Sequence, residues 1–185
     1  MKEHATVGIF GGSFNPPHLA HVLAASWVLA TQPLDHILVV PTYQHPFMKP
    51  LAPYADRLNM CTAAMEHLPA VQVSSIERDL KESRTLPILE HLQTLHPNWT
   101  LRLIIGADIL LESHEWFGFD QIRALAPPIV LGRARTTLPQ PTPTLLPDLS
   151  STEIRSKIAA KKWEDLKNLV PRAVLHYIQT HQLYL

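Results

Sequence analysis

Short apolar runs alternate with helix-forming stretches four times along this chain, and that alternation restricts the fold more than any other feature. Thr6–Phe10 is an apolar run that stops at Gly11 and Gly12, the pattern of a buried strand followed by a tight turn. From His18 to about Thr31 the residues are helix formers without Gly or Pro. His36–Val40 (HILVV) repeats the strand signature and ends at Pro41. The loop TYQHPFMKPLAP then leads to a second helix, with Leu58, Cys61, Met65 and Leu68 at spacings of three and four. Val71–Val73 is a short strand candidate, and a third helix from about Leu86 carries Leu86, Leu89, Leu92 and Leu95 on one face, with Pro87 in its first turn. Leu101–Ile105 (LRLII), a short helix over Phe119–Leu125 and the run Pro128–Leu131 (PIVL) complete the alternation.

Strands that read as continuous apolar runs are buried on both faces, which calls for a parallel sheet covered above and below by right-handed crossover helices. The expected fold is a doubly wound α/β parallel sheet followed by C-terminal helices over Ser151–Lys161 and Pro171–His181. At 185 residues a single domain spanning the chain is expected.

Charge narrows the partners. Lys plus Arg and Asp plus Glu number 16 each, so no broad electrostatic footprint selects nucleic acid or an anionic membrane, and neither is expected as a partner. No run of about 18 apolar residues exists and the first apolar stretch is too short for an export signal, so membrane spanning and export are not expected. The lone Cys61 sits in the apolar pattern of a helix and reads as a small buried hydrophobe; the missing disulfide framework suits a reducing cytoplasm. The sequence leaves room for a homo-oligomer and does not fix the oligomeric state.

In open parallel sheets ligands bind beyond the carboxyl ends of the strands, so the segments after Phe10, Val40, Ile105 and Leu131 should line one crevice. The first, GIFGGSFNPPHLAH, is neither common phosphate loop. No Gly-Lys-Ser/Thr follows, and Gly8, Gly11 and Gly12 lack the dinucleotide spacing. What remains is a helix starting near His18, with His18 and His21 one turn apart on one face and small Ala25 below them. Two imidazole donors would join the unpaired N–H groups and positive dipole of a helix mouth, a combination that suits phosphate. Among 11 histidines, a chance solvated pair is the plainer reading of the pair alone. Ser150 with Glu153 makes a capping box; Ser151, Thr152 and Arg155 beside it could converge on polyphosphate oxygens.

Together GGSFNPPHLAH and SSTEIR resemble the nucleotidyltransferases of the His-x-Gly-His type, most specifically the nicotinate mononucleotide adenylyltransferases. IIGAD at Ile104–Asp108, the pair Trp116 and Phe117, Arg57 and the ending LVPRAVLHYIQTHQLYL match the same pattern. The resemblance implies a Rossmann-like nucleotidyltransferase fold and adenylyl transfer from ATP, with Mg²⁺, to a pyridine mononucleotide, releasing pyrophosphate. It implies that His18, His21 and Arg155 are catalytic, the histidines on the transferring group and Arg155 on the β and γ phosphates with Ser151 and Thr152. Gly11, Gly12, Ser13, Phe14 and Gly106 would meet ATP, Asp108 its ribose. Trp116 and Phe117 would stack on the pyridine ring, and Lys49, with His45 and Arg133 as weaker candidates, would meet phosphate.

The chain departs from the pattern at Ala20, where the family has Gly, and at PTYQHPFMK, which lacks the usual Pro-Pro-His before the basic residue. Arg84 stands where the family has tyrosine. Thr85 reads as an N-cap whose helix mouth could receive the nicotinate carboxylate, and Arg84 would add charge attraction that favours acid over amide. Competing readings are a related transferase acting on phosphopantetheine or nicotinamide mononucleotide, a cytidylyltransferase, a non-catalytic nucleotide sensor, and a metal site built from His18, His21 and His45.

Overall fold

The computed structural model describes residues 4–44, 50–107, 109, 116–133 and 144–185, with the side chains of residues 133, 144 and 145 outside that description. Among the described residues six strands form one parallel sheet: β1 (Ala5–Gly12), β2 (His36–Pro41), β3 (Val71–Val73), β4 (Trp99–Gly106), β5 (Pro128–Arg133) and β6 (Thr144–Leu146). Their order is β3-β2-β1-β4-β5-β6. Crossovers run one way from β1 through β3 and the other way from β4, so the chain reverses direction between β1 and β4. The carboxyl ends of these two neighbours border the natural crevice of such a sheet.

The expected strands are present, and side-chain alternation explains why each reads as apolar throughout. Val7 and Ile9 of β1, Leu38 and Val40 of β2, and Leu101, Leu103 and Ile105 of β4 enter one core. Phe10, Ile37, Val39 and Ile104 enter the other. The first core is covered by α4 (Thr85–Leu95) through Leu86, Leu89 and Leu92, and by Ile122 of α5 (Phe119–Leu125). The second is covered by α1 (Leu19–Thr31), α2 (Tyr54–Met65), α6 (Ser151–Ala159) and α7 (Arg172–Thr180). Cys61 lies fully buried in this second core, and burial pushes its thiol pKa up.

Two elements lack a counterpart in the sequence reading: the five-residue α3 (Ile76–Leu80) and the three-residue β6. Neither spans two full periods of its pattern with a distinct apolar face. The expected cap at Thr85 is corrected. Arg84 takes the N-cap position, at φ −82° and ψ 136° and with no side-chain cap bond, and Thr85 is the first helical residue. At α6 the Ser150 half of the expected capping box forms, Glu153 N–H donating to Ser150 Oγ at 3.1 Å. No helix among the described residues is long and apolar enough to cross a membrane.

Candidate active site

A cavity of about 580 Å³ opens at the carboxyl ends of β1 and β4, a size that suits a mononucleotide-scale ligand. Its floor is apolar, with Ile9, Val40, Leu103 and Ile105 from the sheet. Its rim holds the ends of two helices: Ala20 and His21 from the first turn of α1, and Arg84 and Thr85 from the start of α4. Positive dipole ends therefore face one space from two directions, an electrostatic setting for anions.

At the mouth of α1, His18 holds the N-cap position with extended backbone, φ −141° and ψ 174°. Its N–H donates to His21 Nδ1 at 3.1 Å. The two rings lie 3.8 Å apart, and the His21 ring packs 4.9 Å from that of Phe14. His21 is in the cavity wall, whereas His18, buried at 2% exposure, stacks behind it. Because Nδ1 accepts a bond, the proton of a neutral His21 ring resides on Nε2.

The loop after β1 is tied from beneath and from the far end of the chain. Gly11 and Gly12 continue the parallel ladder with Val40 and Pro41, and a side chain at Gly11 would project into open space, so the backbone there is bare toward the cavity. Phe14 adopts φ 44°, the left-handed region, and fills the core beside Phe10. Beneath the loop, Arg57 is 1% exposed and donates to the carbonyls of Ser13 (2.9 Å), Ala52 (2.9 Å) and Tyr43 (3.5 Å). Burial lowers its pKa.

Asn15, also buried, is the junction. Its Oδ1 accepts from Ala52 N–H at 3.0 Å and from the Tyr184 hydroxyl at 2.8 Å. Arg155 Nη1 donates to its carbonyl at 2.8 Å, and Ser151 Oγ donates to the carbonyl of Pro16 at 2.9 Å. Arg155 Nη2 also holds Thr152 Oγ1 at 3.2 Å. The N-terminus of α6 is thus brought to the same loop that carries His18, although Ser151, Thr152 and Arg155 are not in the cavity wall itself. Two of the five guanidinium N–H groups serve these bonds.

At the opposite bank Trp116 and Phe117 both line the cavity, Phe117 with 63% exposure and Trp116 edge-on to Phe119 at 6.1 Å. The Arg84 guanidinium lies 5.3 Å over the Phe117 ring and pairs with Glu82 at 2.7 Å in a solvent-exposed ion pair that offsets part of its charge. Bonded to Arg84, the Glu82 carboxyl is held down at about 2. Gly106 ends β4 at the cavity. His45, Lys49 and Asp108 lie outside the described residues, as does the side chain of Arg133. Sequence reasoning missed Glu77, a buried carboxylate on the cavity wall, and missed the structural part played by Asn15 and Tyr184. No spacing rule marks a buried acid on a helix of five residues.

A parallel sheet of this order, with two helix mouths and His21 at its crevice, has the architecture of a nucleotide-binding α/β protein. Residues 9–157 match the family described as cytidylyltransferase-like. A relative from Anaeromyxobacter sp. (strain K) named "Probable nicotinate-nucleotide adenylyltransferase" is 45% identical over 188 residues, covering 100% of this chain and 99% of the relative. One of the same name from Myxococcus xanthus is 37% identical, covering 100% and 97%. The chain belongs to the nicotinate-nucleotide adenylyltransferase family within the cytidylyltransferase-like proteins. The fold matches a Plasmodium falciparum nicotinic acid mononucleotide adenylyltransferase complexed with NaAD at a TM-score of 0.85, with 21% identity and 98% of each chain covered. A second structure of that enzyme, complexed with APC, matches at 0.82.

Proposed function

We infer that the protein transfers the adenylyl group of ATP to nicotinate mononucleotide, forming nicotinate adenine dinucleotide and pyrophosphate. The observation that carries this reading is the placement of His21 at the mouth of α1 in the cavity wall, with Arg155 bonded to the loop that precedes it. Family membership supplies the reaction class. The acceptor's phosphate oxygen attacks the α-phosphorus. A new P–O bond forms as the bond to the β-bridging oxygen breaks, and pyrophosphate leaves with that electron pair. No covalent enzyme intermediate is needed, so the protein aligns the two nucleotides and stabilises charge on phosphate oxygens.

In this reading His18 and His21 serve the transferring group, while Gly11, Gly12, Ser13 and Phe14 form the backbone against which ATP lies. Arg155 has N–H groups left for the outer phosphates, with Ser151 and Thr152 beside it. The mononucleotide takes the opposite bank, its ring against Trp116 and Phe117 and its carboxylate at the mouth of α4 near Arg84 and Thr85. Mg²⁺ enters as the companion of the triphosphate. An ion of this kind is commonly ligated by substrate phosphates and water. Bound there, it neutralises phosphate charge.

The test is pyrophosphate release from Mg²⁺-ATP with nicotinate mononucleotide, nicotinamide mononucleotide or phosphopantetheine offered in parallel. Release is expected with the pyridine nucleotides, fastest with the acid, and the preference should narrow in Arg84→Ala. Chelation by EDTA should stop it, and excess Mg²⁺ should restore it. Release with phosphopantetheine alone, or with none of the three, defeats the reading.

A further inference from the structure

Glu77 sits where a carboxylate is least comfortable. It is 7% exposed, on α3, with its side chain in the cavity wall. Its Oε2 accepts the backbone N–H of Tyr43 at 2.8 Å, and the Ser83 hydroxyl donates to the same carboxylate. Ser83 Oγ in turn accepts the N–H of Gln44 at 3.0 Å. Tyr43 and Gln44 lead away from β2, while Ser83 and Arg84 lead into α4. Thr42 on one side and Ser83, Arg84 and Thr85 on the other line the cavity. One side chain therefore joins the two banks of the cleft at the end assigned above to the acceptor.

Among the described residues, charged and titratable neighbours come from several elements. Tyr43 faces Glu77 from the loop after β2, Tyr54 and Arg57 from α2, and Glu82 from the turn before α4. Burial pushes the Glu77 carboxyl up to about 7, against the pull of Tyr43 N–H, the Ser83 hydroxyl and Arg57. A neutral side chain of the same shape would relieve that burial penalty, so the ionised group is kept at the expense of stability. Such groups concentrate at functional sites.

We propose that Glu77 is a positioning residue for the acceptor mononucleotide: ionised, it clamps the loop after β2 to the mouth of α4 and so sets the width of the cleft where the pyridine ring and its carboxylate enter. The proposal rests on the acceptor assignment made above. Protonation converts one acceptor oxygen to a hydroxyl, the Ser83 bond must reverse or break, and the two banks are held less firmly.

The test uses Glu77→Gln in the full chain, with KM measured separately for nicotinate mononucleotide and for ATP. At about pH 8 the acceptor KM should rise about 3- to 10-fold, the net size of one ordinary hydrogen bond, while the ATP KM stays within about twofold. A carboxyl whose pKa is raised by folding lowers stability as pH climbs through about 7, so the variant should melt no lower than wild type above that pH. In wild type the ratio of acceptor KM to ATP KM should rise as pH falls from about 8 to about 6, and in the variant it should stay flat. An unchanged acceptor KM, or equal rises in both KM values with a lower melting temperature, overturns the proposal. Should the variant not fold, a flat KM ratio in wild type across that range overturns it alone. Absence of wild-type turnover with nicotinate mononucleotide would instead defeat the functional reading.

Discussion

The bond from His18 N–H to His21 Nδ1 couples helix capping to the proposed chemistry, because it fixes the His21 tautomer as well as the first turn of α1. The two contributions separate by substitution. Replacing His21 by Ala removes both, whereas Asn can still accept the cap bond without an imidazole. His18→Ala, His21→Ala and His21→Asn should each lose about 10²- to 10³-fold in turnover, the usual loss of a preorganised donor. His21→Ala, unlike His21→Asn, should also lose about 1 kcal/mol of stability through the cap. Single-turnover pyrophosphate release and thermal melting check both; a variant keeping more than about a tenth of wild-type turnover refutes the assignment. These histidines were legible in the sequence because their spacing repeats a helical turn beside a glycine turn. Glu77 and Asn15 were not, since each acts through contacts with residues distant in sequence and no local pattern records them.

At the level of elements, the central strands were readable because a strand buried on both faces is apolar at every position. β1 ran two residues past the apolar run, because the ladder with β2 continues through Gly11 and Gly12, which carry no hydrophobic signal. The Thr85 cap failed for a related reason: side-chain type suggested a cap that backbone position gave to Arg84. Gly8 shows what β1 requires of its neighbours. A Cβ there would come within 2.8 Å of Ile104 Cδ1 on β4 and 2.9 Å of Leu34 Cδ1. Gly8→Ala should therefore destabilise the fold by about 1 to 3 kcal/mol through overpacking. A denaturant midpoint equal to wild type would show that those side chains move aside freely.

Across the whole molecule, strand order explains why distant motifs meet. The reversal between β1 and β4 opens one crevice, and the chain must return past β6 before α6 can reach the loop after β1. The crevice was foreseeable from alternation, but the closing contact from Tyr184 to Asn15 was not. Tyr184→Phe removes that bond and should lower stability by about 1 kcal/mol. It should reduce turnover by more, because a small displacement of aligned groups is strongly felt in rate. Unchanged turnover would show that the remaining bonds to Asn15 suffice.

The Asn15 junction also imposes an order of events. During synthesis from the amino end, the segment after β1 emerges early, yet the hydroxyl that completes its support lies 169 residues further along the chain. The sheet can be assembled while its mouth is still slack. Full support of the loop waits for α7 and Tyr184, which ties the proposed phosphate transfer to a contact made long after β1 has emerged.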